Sequence, residues 1–318
     1  MNLAEIIKSQ EFFKNLIQKK QEGTISNALM FLCEDEYTSK PALILSALML
    51  QYKTFELFNE NSAEFKKLEQ GTDLDIKVYP KNQLKLLVGD SNEIVSEAYI
   101  KPVNLPYKIF IIHNIDKSTD EAQNKLLKVL EEPPQNVYFL LSAKSFERVL
   151  PTIRSRCERI RVFPMSQEEI GRYVQDDLAK ILGRGYIGKT LELAKNEELK
   201  QISNFAVSIF AELKGSKQVL KFSKRFLELK DNLDLILEVL TLCIEDILKI
   251  KCESENLCRL VPFKEALKDI EQEYSVEALC EISKLISNLR EKIEFNANLT
   301  IAIDNFLLKI LEVKYLCK

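Results

Sequence analysis

The chain has no tryptophan, a single histidine, and only 8 glycines and 9 prolines in 318 residues. So few turn-forming residues argue against loop-rich architectures and lead to an expectation of long helices. Its seven cysteines (Cys33, Cys157, Cys243, Cys252, Cys258, Cys280, Cys317) are scattered, odd in number and never in close CxxC spacing. That pattern points to reduced thiols, mostly in the core, rather than to a disulfide framework. With one histidine and no tight cysteine cluster, no metal site is expected. Neither charge sign dominates, since 45 Lys and Arg face 48 Asp and Glu for a net charge of -3. Proteins that neutralise many phosphates usually carry a clear basic excess, so the composition does not favour an autonomous nucleic-acid binder. Local basic spots such as Lys14 with Lys19 and Lys20 read as a solvated helix end. No apolar run reaches the length of a membrane span, and the opening MNLAEIIKSQEFFKN carries charges where a secretory leader needs an apolar stretch. A cytoplasmic chain is the expectation.

What is present is an ordinary globular balance of 46% hydrophobic and 29% charged residues, with length for two or three domains. The first 164 residues alternate short apolar runs with amphipathic segments, the signal for a parallel sheet flanked by helices. Strands are expected at Ala28 to Cys33, Ile76 to Tyr79, Tyr107 to Ile112, Val137 to Leu141 and Arg159 to Phe163. The run YKIFII is nearly continuously apolar, as a strand buried on both faces requires. Ser118 and Glu121 form a potential capping box for a helix whose Ala122, Leu126 and Leu130 share one face. Strand signals end at Pro164. Ser166 with Glu169 then starts a small helical segment ending near Asn204, and from about Gly215 onward the chain reads as helical throughout. Ile236, Leu240, Cys243 and Ile247 make one apolar stripe there, and a last helix runs from about Leu299 to Tyr315. The expected domains are 1–164, 165–207 and 208–318.

One stretch is far more specific. From Asn124 to Arg156 the chain reads NKLLKVLEEPPQNVYFLLSAKSFERVLPTIRSR, followed by Cys157. The sequence NxLLKxLEEPP, then a strand, then LPTIRSRC resembles the AAA+ module of the bacterial clamp loaders. The segment NANLTIAIDNFLLKI, from Asn296 to Ile310, is similar to the NxNPxLALExLLLRL segment of their collar domains, with Leu299 in place of the proline. The chain departs from many of these proteins in lacking a four-cysteine zinc module. The resemblance implies an α/β AAA+ module, a small helical lid domain and an all-α collar domain. It also implies partners in a hetero-oligomer: ATPase subunits (gamma/tau), a delta subunit and, through them, the sliding clamp and primer-template DNA.

The ATPase chemistry is missing from its expected places. A P-loop needs glycines so that backbone amides and a lysine wrap the phosphates. Here the segment between the first strand and a helix expected to open near Pro41 reads Cys33-Glu34-Asp35-Glu36-Tyr37-Thr38-Ser39-Lys40, with no glycine and three adjacent carboxylates. The acidic pair that would hold magnesium and polarise water falls, by the resemblance, on His113 and Asn114. His113 reads as a structural residue. Gly183 to Thr190 does satisfy GxxxxGK[ST], but it follows an amphipathic segment rather than a buried strand. By resemblance, Gly185 to Leu193 matches a junction in the lid domain, with Gly188 at the position where active relatives have a nucleotide-sensing arginine. No intrinsic ATPase and no cofactor are expected.

By the same resemblance, Ser155-Arg156-Cys157 looks like the SRC motif, whose arginine projects across a subunit interface toward a neighbour's ATP. A planar guanidinium suits charge spreading over a transferring phosphate. Ser155 is expected to fix the turn and Cys157 to pack beneath it, with Arg154 as the nearest rival for the role. Glu131 to Pro134 read as a helix terminator, and Asn124 as non-catalytic. The leading expectation is a non-hydrolysing clamp-loader subunit acting as a stator. The alternatives are an active ATPase using Gly183 to Thr190 or the degenerate first loop, and an AAA+ adaptor outside replication.

Overall fold

The computed structural model describes residues 2–81, 85–295 and 297–316. Asn296, which opens the collar-like segment, and Cys317, expected as a reduced thiol, lie outside the described residues. Five strands, β1 (Ala28–Leu32), β2 (Ile76–Tyr79), β3 (Lys108–Ile112), β4 (Val137–Ala143) and β5 (Glu158–Arg161), form one sheet in the order β2-β3-β4-β1-β5. Every pairing is parallel. The helices of the first part are α1 (Leu3–Ser9), α2 (Glu11–Glu22), α3 (Glu36–Gln51), α4 (Ala63–Glu69), α5 (Val88–Ala98), α6 (Asp120–Glu131), α7 (Pro151–Arg154) and α8 (Gln167–Gly171). Those that follow are α9 (Asp177–Gly183), α10 (Ile187–Lys195), α11 (Leu199–Glu212), α12 (Ser216–Glu228), α13 (Leu233–Lys251), α14 (Lys264–Glu271), α15 (Val276–Glu294) and α16 (Leu299–Leu316).

The chain divides into two compact units, Met1–Tyr173 with Gly185–Glu192, and Val174–Arg184 with Leu193–Lys318. In the first, all five residues of β3 are buried, and two apolar clusters cover the sheet's faces. Phe31, Leu43 and Leu48 lie in one cluster, and Phe110, Leu126 and Phe139 in the other. Alternate residues of β1 and β3 thus serve opposite layers, which is why these strands read as continuous apolar runs. Lys19 pairs with Glu158, and Lys20 donates to the carbonyls of Met49 and Tyr52 at the end of α3, so this basic spot is tied into the fold.

In the second unit, α13 packs on α11, α14 and α15, and α16 packs on α12 and α15. Ile236, Leu240, Cys243 and Ile247 are fully buried, as their spacing requires. Asp246, also on α13, is buried and accepts hydrogen bonds from the backbone N–H of Arg259 (2.8 Å) and Leu260 (2.7 Å), pinning the returning chain. No helix among the described residues is long and apolar enough to cross a membrane.

The structure corrects several local readings. The helix expected to open near Pro41 starts at Glu36, and Pro41 lies inside it. The cap of α6 is Thr119, which accepts from the Ala122 amide at 3.3 Å, rather than Ser118. Helix α11 runs unbroken through Asn204. Cys33, Cys243 and Cys258 are buried free thiols and Cys157 is half-buried, but Cys252 and Cys280 are exposed.

Candidate functional site

The locus of the degenerate P-loop is filled from within. Asp35 is buried and caps α3, accepting from the backbone N–H of Tyr37 (3.2 Å) and Thr38 (2.8 Å) and from the Thr38 hydroxyl (2.6 Å). A carboxylate of the chain itself thus takes donors that would otherwise be available to an anion at this helix start. The cap nucleates α3 more than a turn before Pro41, which explains the displaced helix start. The amide of Lys189, in α10, also donates to Asp35 at 3.2 Å, and that of Gly188 donates to the Thr38 hydroxyl at 2.9 Å.

Gly188 allows this closeness. A Cβ there would run into the Tyr37 carbonyl group and approach Thr38 N to 2.6 Å. Gly185 has φ +88°, and a Cβ on it would meet Met165 O at 2.6 Å. Of the two glycines that define GxxxxGK[ST], Gly188 therefore has a packing reason, as does Gly185 between them. Gly183 closes α9, and Gly188, Lys189 and Thr190 lie in the first turn of α10, so no strand precedes a phosphate loop.

Glu36 does not stand as a bare repelling charge. Its Oε1 pairs with Lys117 Nζ and Lys144 Nζ, each at 3.0 Å. Burial alone would raise its carboxyl, but hydrogen bonds from the two lysines outweigh burial and hold it at about 2. His113 directly follows β3, and its backbone N–H donates to Tyr79 O at 2.8 Å. Burial, reinforced by nearby Lys40 and opposed by Glu36, pushes the imidazole down to about 4, so it is neutral at physiological pH. Asn114 has φ +52° and donates its backbone N–H to the Ser142 hydroxyl at 3.0 Å. Asp116, which the sequence did not single out, is buried and accepts from the amides of Lys144 (3.2 Å) and Ser145 (3.0 Å) at the end of β4. Among the described residues no group of three or more His, Cys, Asp or Glu side chains is arranged to hold a metal ion.

The SRC residues lie on the short segment from α7 into β5. Pro151 at the first position favours a single helical turn. Ser155 is exposed, closes the turn through its amide to Pro151 O at 3.0 Å, and donates its hydroxyl to Thr152 O at 3.1 Å. Cys157 packs against the α6 side of the core, where burial pushes its thiol up to about 12 and leaves it chemically quiet. Arg156 is half-buried. Its Nη1 donates to Thr152 O at 2.8 Å and its Nη2 pairs with Glu131 Oε2 at 2.9 Å, while Nε is buried with no hydrogen-bond partner. Arg154 and Arg159 instead lie on the Phe146 ring, 4.8 and 3.6 Å from its centroid.

Glu131, which reads in the sequence only as part of a helix terminator, is the ion-pair partner of Arg156. It is the last residue of α6, and the motif that resembles LEEPP meets the SRC motif through it. Asn124 is exposed on α6.

Three comparisons bear on this arrangement. The model of the family described as DNA polymerase III, delta subunit, matches residues 8–166. The DNA polymerase III subunit gamma of Buchnera aphidicola (subsp. Schizaphis graminum) is 30% identical over 171 residues, 53% of this chain and 44% of that protein. The DNA polymerase III subunit delta' of Bacillus subtilis is 24% identical over 209 residues, 62% of this chain and 64% of that protein. The chain thus spans less than two thirds of the length of either relative. A DNA polymerase III gamma-subunit-related protein of Thermotoga maritima shares the fold, with a TM-score of 0.51 at 17% identity over 94% of this chain and 99% of that one.

Proposed function

The chain belongs to the DNA polymerase III delta-subunit family, and on that premise we propose that it is a non-hydrolysing, delta-prime-like subunit of the replicative clamp loader. It lends Arg156 in trans to nucleotide bound by an adjacent ATPase subunit and serves as a stator in sliding-clamp loading. The observation that carries this reading is an arginine fixed near the surface on an AAA+-type sheet whose own phosphate locus is occupied by Asp35 and Gly188. A site whose donors are taken up by the chain's own side chains leaves the module service to a neighbour, and a forked guanidinium is the group suited to it. Ser155 and Cys157 support the arginine by setting the turn and filling the space beneath it.

On this reading residues 1–164 form the nucleotide-binding-type domain, 165–207 the lid and 208–318 a helical collar that holds the oligomer. The partners are the gamma/tau ATPase subunits and a delta subunit in the cytoplasm, with the sliding clamp and primer-template DNA engaged through them. Co-purification with a gamma/tau and a delta subunit, followed by a clamp- and DNA-dependent ATPase assay, tests it. A chain that joins neither subunit would contradict the proposal.

A further inference from the structure

The guanidinium of Arg156 is restrained at every nitrogen. Thr152 O accepts from Nη1 at 2.8 Å, Glu131 Oε2 accepts from Nη2 at 2.9 Å, and Nε is enclosed. Of its five N–H groups, these contacts engage or bury three and leave one on each Nη. The side chain keeps 27% of its surface exposed, so the arginine can meet an anion without leaving its seat.

The two acceptors differ in kind. Thr152 O is backbone in α7 and cannot be lost by mutation. Glu131 sits at the end of α6, where Pro133 and Pro134 stop the helix, and its side chain is 58% exposed. It supplies the only charged contact the described residues make to this guanidinium, and a charge-assisted hydrogen bond constrains direction as well as distance.

We propose that Glu131 is a positioning residue for Arg156: its carboxylate sets the guanidinium plane so that the remaining N–H pair is presented outward, already oriented for phosphate. This inference rests on the reading of Arg156 as an arginine acting in trans. It assigns to the first glutamate of the EEPP turn a purpose beyond ending a helix. The alternative, in which Glu131 masks the arginine and must be displaced, predicts the opposite sign.

The test uses the reconstituted clamp-loader complex with wild-type, Glu131→Ala, Glu131→Gln, Arg156→Ala and Glu131→Ala/Arg156→Ala subunits, reading the rate and the KM of clamp- and DNA-dependent ATP turnover. Misplacing a catalytic group by about 1 Å costs on the order of a hundredfold. Glu131→Ala should therefore slow the adjacent site by about ten- to a hundredfold, mainly in rate rather than in KM. Glu131→Gln, which keeps an acceptor of the same length, should lose less. The double variant should be no slower than Arg156→Ala. Wild-type or faster turnover in Glu131→Ala beside an impaired Arg156→Ala overturns the positioning role and leaves the arginine reading standing.

If Arg156→Ala instead turns over like wild type, the arginine reading falls, and guanidinium NMR on the full chain decides the positioning role. Slowly exchanging Arg156 N–H signals that are lost in Glu131→Ala support it. Signals unchanged by that substitution overturn it.

Discussion

Arg156 Nη2 lies 2.9 Å from Glu131 Oε2, an ion pair that joins the end of α6 to the turn entering β5. It couples the two halves of the stretch that looked most specific in the sequence. Neither partner is deeply buried, and exposed ion pairs contribute only about 0–1 kcal/mol to stability. The substitutions that test its proposed positioning role should therefore leave the fold in place.

Gly188→Ala should destabilise the first unit. A methyl group there collides with the Tyr37 carbonyl group and the Thr38 amide, which are backbone and cannot swing aside. Overpacking of this kind costs about 1–3 kcal/mol, against a gain of up to about 1 kcal/mol from replacing glycine inside a helix. Thermal denaturation should show a lower midpoint, and an equal or higher midpoint would mean that α10 does not rest against α3 as described.

The isolated chain should not bind Mg-ATP at micromolar concentrations. Asp35 already accepts from the amides of Tyr37 and Thr38, and Lys117 and Lys144 are committed to Glu36. Titration calorimetry should give no saturable heat, and Lys189→Ala should behave like wild type. Saturable binding abolished by Lys189→Ala would reinstate Gly183 to Thr190 as a phosphate loop.

The sheet was legible because its strands are short apolar runs bounded by polar turns; Ile76 to Tyr79 matches β2, and the other four agree within one or two residues. The start of α3 is not legible in the same way, since Pro41 reads as a first-turn proline and Asp35 as one charge among three, whereas Asp35 caps the helix. Its capping role depends on which amides point at it, and that geometry is absent from a residue string. The same limit applies to Glu131, whose partner lies across the fold, and to Gly188, whose need for a missing side chain is set by the Tyr37 backbone. The motif singles out Arg156, but nothing in the residue string reveals that Glu131 tethers it. Cys252 and Cys280 ended up exposed, as cysteine's general preference for burial could not reveal.

His113 is the chain's single histidine, so its titration can be read without ambiguity. Burial, with Lys40 adding to it, holds the folded-state value at about 4 against an ordinary 6.5. Between those values the unfolded chain binds more protons than the folded one, so His113 makes stability rise with pH across that window, by up to about 1.4 kcal/mol per pH unit. Imidazole NMR should show a midpoint near 4, and His113→Gln should flatten this part of the stability profile. A midpoint at 6.5 would show that the ring is hydrated.

The account turns on Arg156 acting on a neighbour's nucleotide, and clamp loading by complexes reconstituted with wild-type, Arg156→Ala, Arg156→Lys and Arg154→Ala subunits tests that most directly. Arg156→Ala should fold and assemble normally yet slow ATP turnover at the one adjacent site; arginines supplied in trans are worth about a thousandfold or more in other phosphoryl-transfer systems. Arg156→Lys should rescue poorly because a point charge lacks the fork, and Arg154→Ala should load clamps like wild type. Equal loading by wild-type and Arg156→Ala complexes would contradict the account, and a selective loss in Arg154→Ala would move the role two residues upstream.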